Sequence, residues 1–105
     1  MSYRVRLHPA VSEDLDAITR WLIDYAGRKL AERRLAEIEE AIAGLGALPH
    51  KGTVRDEIAP GLRAIPAGRK AVVAFTVDDE AHTVFVHAVT YAGADWISRS
   101  RTRSK

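Results

Sequence analysis

The side chains best suited to bind an anionic partner lie near the ends of predicted strands, in the stretches GLRAIPAGRKAVVAF and VTYAGADW. Arg63 stands inside one strand, among residues that should be buried. A guanidinium binds carboxylate or phosphate through a planar fork of donors. Arg63 therefore either holds a partner's anionic group or pairs with a carboxylate of its own chain, such as Asp56 or Glu57. Trp96 either joins this group or closes the sheet edge as a lid. The candidates at these strand ends are Arg63, Arg69, Tyr91, Asp95 and Trp96.

The other chemistry-bearing residues form no recognisable metal or nucleophile motif. The four histidines include no i, i+4 pair, and His82 and His87 should point to opposite faces of one predicted strand. The chain has no cysteine and no serine in a G-x-S-x-G turn. The acidic run Asp78–Glu80 falls in a predicted turn, where aspartate is favoured for backbone reasons. We therefore assign no catalytic residue, no metal ligand and no cofactor.

Charge is distributed unevenly along the chain. The formal net charge is +2, yet the terminal segment RSRTRSK holds four cations, and without them 12 basic residues face 14 acidic ones. A slightly acidic body lacks the clustered basic face typical of nucleic-acid binding. We predict a single domain over residues 1–98 and a basic, mobile tail over residues 99–105. The tail serves as a flexible arm or only as a solubilising segment. Its cations are Arg99, Arg101, Arg103 and Lys105.

The length of 105 residues fits one compact domain. No apolar run approaches the roughly 20 residues of a transmembrane helix. The start MSYRVRLHP lacks the continuous apolar segment of a signal peptide. The lack of cysteine excludes disulfides and fits a reducing compartment. We predict a cytoplasmic protein without a membrane partner.

Two helices and four strands are predicted to position these residues. Apolar residues at helical spacing predict helices over about residues 10–25 and 28–46, which a short link at Gly27 makes an antiparallel hairpin. Alternating or continuous apolar runs predict strands over about residues 3–8, 62–65, 70–77 and 83–91, with a loop over about residues 49–61. The core candidates are Val5, Leu7, Leu15, Ile18, Leu22, Leu35, Ile38, Ile42, Val73 and Phe75.

This order of elements predicts an α+β fold. The elements follow as β-α-α-β-β-β, and short connections between the last three strands favour antiparallel pairing. Both helices must then cover one face of the sheet. The expected architecture is a two-layer sandwich, with the helical hairpin packed on a mainly antiparallel sheet.

Four short features in this order resemble the ParE/RelE toxin superfamily of type II toxin–antitoxin systems, and its ParE branch in particular. The resemblance spans about residues 3–97. The features that carry it are Pro9-Ala10 with Asp14-Leu15, the helix end followed by Pro49 and Gly52, the strand start Gly61-Leu62-Arg63, and Gly68-Arg69 before the next strand.

The resemblance implies a small toxin that a co-expressed antitoxin holds inactive. ParE-like members poison DNA gyrase, whereas RelE-like members cleave mRNA in the ribosomal A site with a basic cluster and a tyrosine. Arg63 matches the second-strand arginine of the RelE branch, and Lys51 is the only lysine in the central loop. Ala92 and Ala94 stand where basic residues would follow the last strand. RNA cleavage needs a general base, a general acid and a cation on the phosphate, and only the cation is evident.

This departure favours a non-enzymatic toxin that inhibits DNA gyrase, without excluding an enzyme. The alternatives are a ribosome-dependent mRNA endoribonuclease of RelE type and a degenerate toxin that acts mainly in a regulatory complex. The expected partners are a cognate antitoxin, with a heterotetramer as one assembly, and DNA gyrase. The toxicity candidates are Arg63, Arg69, Tyr91, Asp95, Trp96, Arg99, Arg101 and Arg103.

The first helix is the predicted antitoxin-binding element. It carries more apolar residues than one buried face needs, and an amphipathic partner segment could cover the surplus. Trp21 could instead wrap the edge of the core. The candidate antitoxin contacts are Trp21, Ile23 and Tyr25.

Overall fold

A computed structural model describes residues 2–104 as three helices and five strands. The strands form one sheet in the order β1-β5-β4-β3-β2, with β1 parallel to β5 and all other pairs antiparallel. The predicted α+β class is confirmed. In chain order the elements are β1 (Arg4–Leu7), α1 (Val11–Ala26), α2 (Arg28–Gly44), β2 (Thr53–Val54), β3 (Arg63–Ala67), β4 (Ala71–Asp78), β5 (Thr83–Tyr91) and α3 (Trp96–Arg103).

The helical hairpin turns at a single residue. Gly27 has a φ of +92°, a conformation that costs a glycine little, and its N–H donates to the carbonyl of Ile23. Helix α1 begins one residue later and α2 ends about two residues earlier than the periodicity predicts. The two helices therefore run antiparallel on one face of the sheet and share a core with it.

The main core lies between the hairpin and the sheet. Its buried residues include Val11, Ile18, Leu22, Ala31, Ile38, Ile42, Leu45, Ile65, Val73, Phe75, Val84, Val86 and Val89. Among the predicted core residues, Val5, Leu15 and Leu35 are only half-buried. Leu7 is 47% exposed, so its prediction as a core residue is wrong. The reason is its place at the end of β1, the four-residue edge strand, where only β5 lies beside it.

A second layer covers the opposite face of the sheet. Helix α3 and the loop before β3 pack there around Ala74, through Ile58, Ala59, Leu62, Trp96 and Ile97. The predicted loop over residues 49–61 also contains β2, whose two residues pair with Ala64 and Arg63. A strand of two residues is too short to leave an alternating pattern in the sequence.

Residues 99–103 of the predicted tail over residues 99–105 belong to α3, and the mobility of this segment stays a prediction. Asp95 caps this helix through a hydrogen bond from the Ser98 N–H, at 3.1 Å. Ser100 is fully buried against the sheet, and Arg103 is paired with Asp14. The predicted boundary at residue 98 thus falls inside a helix. Lys105, the last predicted tail cation, lies outside the described residues.

Candidate functional site

A cleft of about 400 Å³ opens between α1, the end of β5 and the first half of α3. The loop after β5 borders the cleft and turns sharply, because Ala92 and Gly93 have φ values of +54° and +83°. Its small side chains leave the cleft open to solvent. The lining residues are Asp14, Ala17, Ile18, Trp21, Val89, Thr90, Tyr91, Ala92, Gly93, Ala94 and Arg99.

Asp14 is the buried charge in this cleft, with a side chain only 5% exposed. The two Nη atoms of Arg103 donate to its two carboxylate oxygens, at 2.6 and 3.0 Å. Arg99 approaches the same carboxylate to 3.5 Å from the solvent side. The paired fork of donors and acceptors is the strong geometry for an arginine and a carboxylate. Two cations therefore neutralise the single buried anion.

The Asp14–Arg103 pair also supplies hydrogen-bond partners to backbone groups at the unpaired edge of β5. Strand β1 pairs only with residues 83–86, so the backbone groups beyond Val86 have no strand on that side. The Val89 N–H donates to Asp14 Oδ2 at 3.1 Å, and Arg103 Nη1 donates to the His87 carbonyl at 3.1 Å. Buried backbone groups need such partners. Asp14 and Arg103 thus replace the missing strand and tie the start of α1 to the end of α3.

His87 is the extra residue of a β-bulge beside this edge. Ala74 pairs with Ala88 and Phe75 with Val86, which leaves His87 unmatched between them. Its buried ring contacts Thr76 Oγ1 through Nε2 at 2.9 Å, and its Nδ1 has no partner among the described residues. Burial, together with the nearby His8, lowers the pKa of His87 below its usual value. His82 lies just before β5, so the predicted opposition of two histidines on one strand does not arise.

Three aromatic side chains cluster beside the cleft, and two of them, Trp21 and Tyr91, line it. Trp21 and Tyr25, one helical turn apart, stack at 4.9 Å between ring centroids with 10° between their planes. Tyr91 lies 5.8 Å from Trp21, at 54°. Ile23 is exposed on α1 but does not line the cleft. The structure thus brings two of the three proposed antitoxin contacts together, and the interaction itself stays a prediction.

A second cleft of about 230 Å³ adjoins the first. Trp21 and Tyr91 line both clefts, and Arg69 and Lys70 of the β3–β4 turn lie at the far side of the second. Arg34 also lines it and donates to Glu37 at 2.6 Å. The toxicity candidates Arg69, Tyr91 and Arg99 therefore share one continuous surface.

Arg63 lies at a different place. It pairs across the strands with Phe75, so it shares the face of the sheet that packs on the hairpin. Its Nη1 donates to the carbonyls of His50 and Lys51, at 3.1 and 3.4 Å. Arg63 therefore holds the loop that follows α2, and no ion pair with Asp56 or Glu57 is formed in the described part of the chain. Its role in toxicity stays a prediction.

Near Arg63 the structure assembles a polar cluster that sequence reasoning missed. Asp79 Oδ1 accepts a hydrogen bond from the Tyr3 hydroxyl at 2.7 Å and lies 2.7 Å from His50 Nε2. The Tyr3 hydroxyl, then His50 and Arg63, lower the pKa of Asp79. The bond to Asp79 raises the pKa of Tyr3. Three residues from distant chain segments meet here, and no local pattern in the sequence reveals such a meeting.

Asp95, Trp96 and Arg101 make structural contacts within the second layer. The Ser98 N–H holds the pKa of Asp95 below its usual value, as expected for a helix cap. Trp96 packs in the second apolar cluster under the guanidinium of Arg55, which lies 5.4 Å from its ring centroid. Arg101 Nε donates to the carbonyl of Ile58 at 3.4 Å. These contacts are structural, and a role of the three residues in toxicity stays a prediction.

Within residues 2–104, the His, Asp and Glu side chains form no group of three or more that could hold a metal ion. Across the same residues, none of the helices has the length and apolar character needed to span a bilayer.

Comparison with solved structures identifies the fold. The chromosomal ParDE toxin–antitoxin system of Pseudomonas aeruginosa contains a chain that superposes with a TM-score of 0.73 at 20% identity, covering 87% of this chain and 97% of that one. A mutant of Escherichia coli toxin RelE in the free state gives a TM-score of 0.64 at 15% identity, covering 99% and 98%. The toxin–antitoxin complex RelBE2 from Mycobacterium tuberculosis gives 0.60 at 21%, covering 88% and 100%. The TM-scores of 0.60 to 0.73 establish the shared fold.

Sequence comparison identifies the family. Toxin ParE1 of Mycobacterium tuberculosis is 40% identical over 68 residues, which cover 65% of this chain and 69% of that protein. The family described as "ParE toxin of type II toxin-antitoxin system, parDE" matches residues 5–96, the greater part of the chain. The match runs from the second residue of β1 to the first residue of α3 and includes the whole hairpin and strands β2 to β5. The chain belongs to the ParE family of toxins from type II toxin–antitoxin systems.

Proposed function

We propose that this toxin acts by binding DNA gyrase, without chemistry of its own, and that a cognate antitoxin neutralises it by covering the cleft beside α1. The observation that carries the proposal is the state of the charges in that cleft. Asp14 is held by Arg103, Arg99 and the Val89 N–H. Among the described lining residues, no other carboxylate and no histidine is present. A general base and a general acid must both be free to move a proton. The cleft is therefore suited to binding.

The antitoxin segment is expected to dock on the exposed apolar side of α1. Trp21 and Tyr25 remain 45% and 75% exposed, although they are large aromatic side chains. Such residues often anchor protein interfaces, where a few central side chains carry most of the binding energy. An amphipathic helix that continues as an extended chain fits a groove of this form. The antitoxin partners named for the structural neighbours support this part of the proposal.

Substitution of Trp21 tests the antitoxin site. We expect Trp21→Ala to weaken binding of the antitoxin, taken as the product of the neighbouring gene, by about thirtyfold or more, since a hot spot contributes about 2 kcal/mol or more. Leu48→Ala is the matched control, because Leu48 is 60% exposed and lies outside the cleft. Titration calorimetry on both variants separates the outcomes. Equal affinities for the two variants would place the antitoxin elsewhere.

A purified assay tests the gyrase target. The toxin is mixed with gyrase and supercoiled plasmid, and the DNA is analysed after the protein has been denatured and digested. We expect linear DNA to accumulate with the toxin and to disappear when antitoxin is added first. Unaltered supercoiling and no linear DNA, with toxin that binds antitoxin normally, would contradict the gyrase target.

A second candidate function is mRNA cleavage of the RelE type, and one observation favours it. His50 and Asp79 lie 2.7 Å apart, and Arg63 contacts the His50 carbonyl. A histidine paired with a carboxylate is a common general base, and an arginine can hold a phosphate. If this cluster cleaves RNA, His50→Ala should abolish growth arrest, whereas Trp21→Ala in the absence of antitoxin should not. Under the gyrase proposal His50→Ala retains toxicity.

A further inference from the structure

The stacked pair Trp21 and Tyr25 presents an unusually open aromatic surface. Their rings are parallel to within 10°, and Tyr25 is 75% exposed. Two aromatic residues at i and i+4 on a helix contact each other readily. Packing of the core does not require the ring of Tyr25, because Leu22 fills the buried position of this helical turn. A flat π-surface that is open to solvent can take a further planar group.

Cations flank this aromatic surface on both sides. The two adjoining clefts share Trp21 and Tyr91, so they form one groove, which we call the aromatic groove. Arg69 and Lys70 lie at one end and Arg99 at the other. Arg69 and Lys70 are exposed, and neither forms an ion pair with another residue of the described range 2–104.

Two acidic groups at the ends of the groove are already neutralised. Asp14 at one end is paired with Arg103 and Arg99, and Glu37, beside the other end, is paired with Arg34. Asp24 precedes Tyr25 on α1 but does not line either cleft. The groove therefore presents positive ends and an aromatic middle, although the body of the chain without the terminal cations is slightly acidic.

We propose that the aromatic groove binds a short single strand of nucleic acid. A base would stack on the open face of Tyr25 or Trp21, and the phosphates on either side would meet Arg69, Lys70 and Arg99. Proteins that bind single strands combine aromatic stacking platforms with cationic grooves in this way. An acidic peptide would match the cations, but it does not need the exposed outer face of a stacked aromatic pair. One consequence rests on the proposed function: the antitoxin is expected to cover the same α1 residues and to displace the strand.

Fluorescence anisotropy with a labelled oligothymidylate tests the proposal on the full-length free toxin. We expect Tyr25→Ala to weaken binding about tenfold, because one stacked base contributes on that order. Because the side chain of Tyr25 is exposed, the thermal melting curve of Tyr25→Ala should match that of the wild type. Arg69→Gln should reduce the slope of log affinity against log salt by about 0.7 between about 50 and 200 mM salt.

Arg4→Gln is the matched control for charge, because Arg4 is an exposed cation on β1 and lies outside the groove. Its salt slope should equal that of the wild type. Failure to bind at about 50 mM salt up to about 100 µM toxin would overturn the proposal. So would equal effects of Arg4→Gln and Arg69→Gln with none from Tyr25→Ala, which would indicate unspecific charge attraction.

Two competitors complete the test. An oligoglutamate of equal charge should not displace the strand, and displacement as effective as that by unlabelled oligothymidylate would assign the groove to acidic peptides instead. Oligouridylate in place of oligothymidylate distinguishes RNA from DNA as the natural source. Added antitoxin should release the strand. A strand that binds by these criteria but resists antitoxin would leave this inference intact and contradict the antitoxin site.

Discussion

Arg103 and Asp14, 89 positions apart in the sequence, are joined by a two-pronged ion pair of 2.6 and 3.0 Å. The same two side chains also bond the backbone of β5, at His87 and Val89. One pair therefore links the start of the hairpin, the open edge of the sheet and the C-terminal helix. Its integrity should decide whether α3 stays docked.

Asp14→Ala should destabilise the fold by about 3 kcal/mol, since removal of one partner leaves the other charge and a buried N–H without a bond. Glu13→Ala is the control, because Glu13 is an exposed acid in the same helical turn and should change stability by less than about 0.5 kcal/mol. Urea denaturation of both variants gives the comparison.

A double-mutant cycle with Arg103→Gln isolates the pair. We expect a coupling energy of about 1–3 kcal/mol between Asp14 and Arg103. A coupling energy near zero would show that the pair does not hold α3.

Gly52 is predicted to be irreplaceable for steric reasons. Its φ is +78°, and a Cβ there would lie 2.4 Å from the carbonyl oxygen of Ala64. Gly61 has nearly the same φ, +72°, but a Cβ there would meet nothing within 4 Å. Gly61→Ala should therefore cost only the strain of the left-handed backbone, about 1–3 kcal/mol. Gly52→Ala should cost clearly more in the same thermal melts, and equal losses would contradict the close approach of the two strands.

Acid should lower the melting temperature of the protein through protonation of His87. Burial lowers the pKa of His87 in the folded chain, so the unfolded chain binds a proton more readily. The stabilisation by neutral His87 is fully present above the unfolded pKa, near 6.5, and is lost as the pH falls from there toward the folded pKa. We expect His87→Gln to flatten the fall in melting temperature between about pH 7 and pH 5.

His82→Asn is the control for this pH effect. His82 is an exposed histidine with a φ of +49°, which asparagine tolerates. The pH dependence of this variant should match that of the wild type. The account fails if His82→Asn flattens the profile as much as His87→Gln does.

The hairpin and the last three strands could be predicted because they leave periodic patterns. Apolar residues at helical spacing place Ile18, Ile38 and Ile42 in the core, and all three are buried. Helix α3 leaves no such pattern, because most of its residues are polar or charged. It is held by a cap at Asp95 and by the ion pair with Asp14. That ion pair joins residues 89 positions apart, so no local pattern in the sequence reveals it. The helical spacing does contain one signal of this contact, because it places the charged Asp14 on the buried side of α1, between Val11 and Ile18.

The candidate site could be predicted only in part, because strand register decides which strand ends meet. Arg63 pairs with Phe75, whereas Tyr91 pairs with Ala71 beside the β3–β4 turn. The five-residue strand β3, about 17 Å long, therefore separates Arg63 from Arg69. Residue types near strand ends identify candidates, but they do not show that these two arginines lie at opposite ends of the strand.

The central claim is that the toxin poisons gyrase by binding, and expression without antitoxin tests it most directly. In one culture, DNA cleaved and covalently held by gyrase is measured beside the integrity of mRNA. Trp21→Ala and His50→Ala variants are measured in parallel. The account predicts accumulated cleaved DNA–gyrase complexes with intact mRNA, and unchanged toxicity of His50→Ala. Codon-positioned mRNA cuts with normal gyrase activity, abolished by His50→Ala, would contradict it, and growth without arrest would indicate a degenerate toxin.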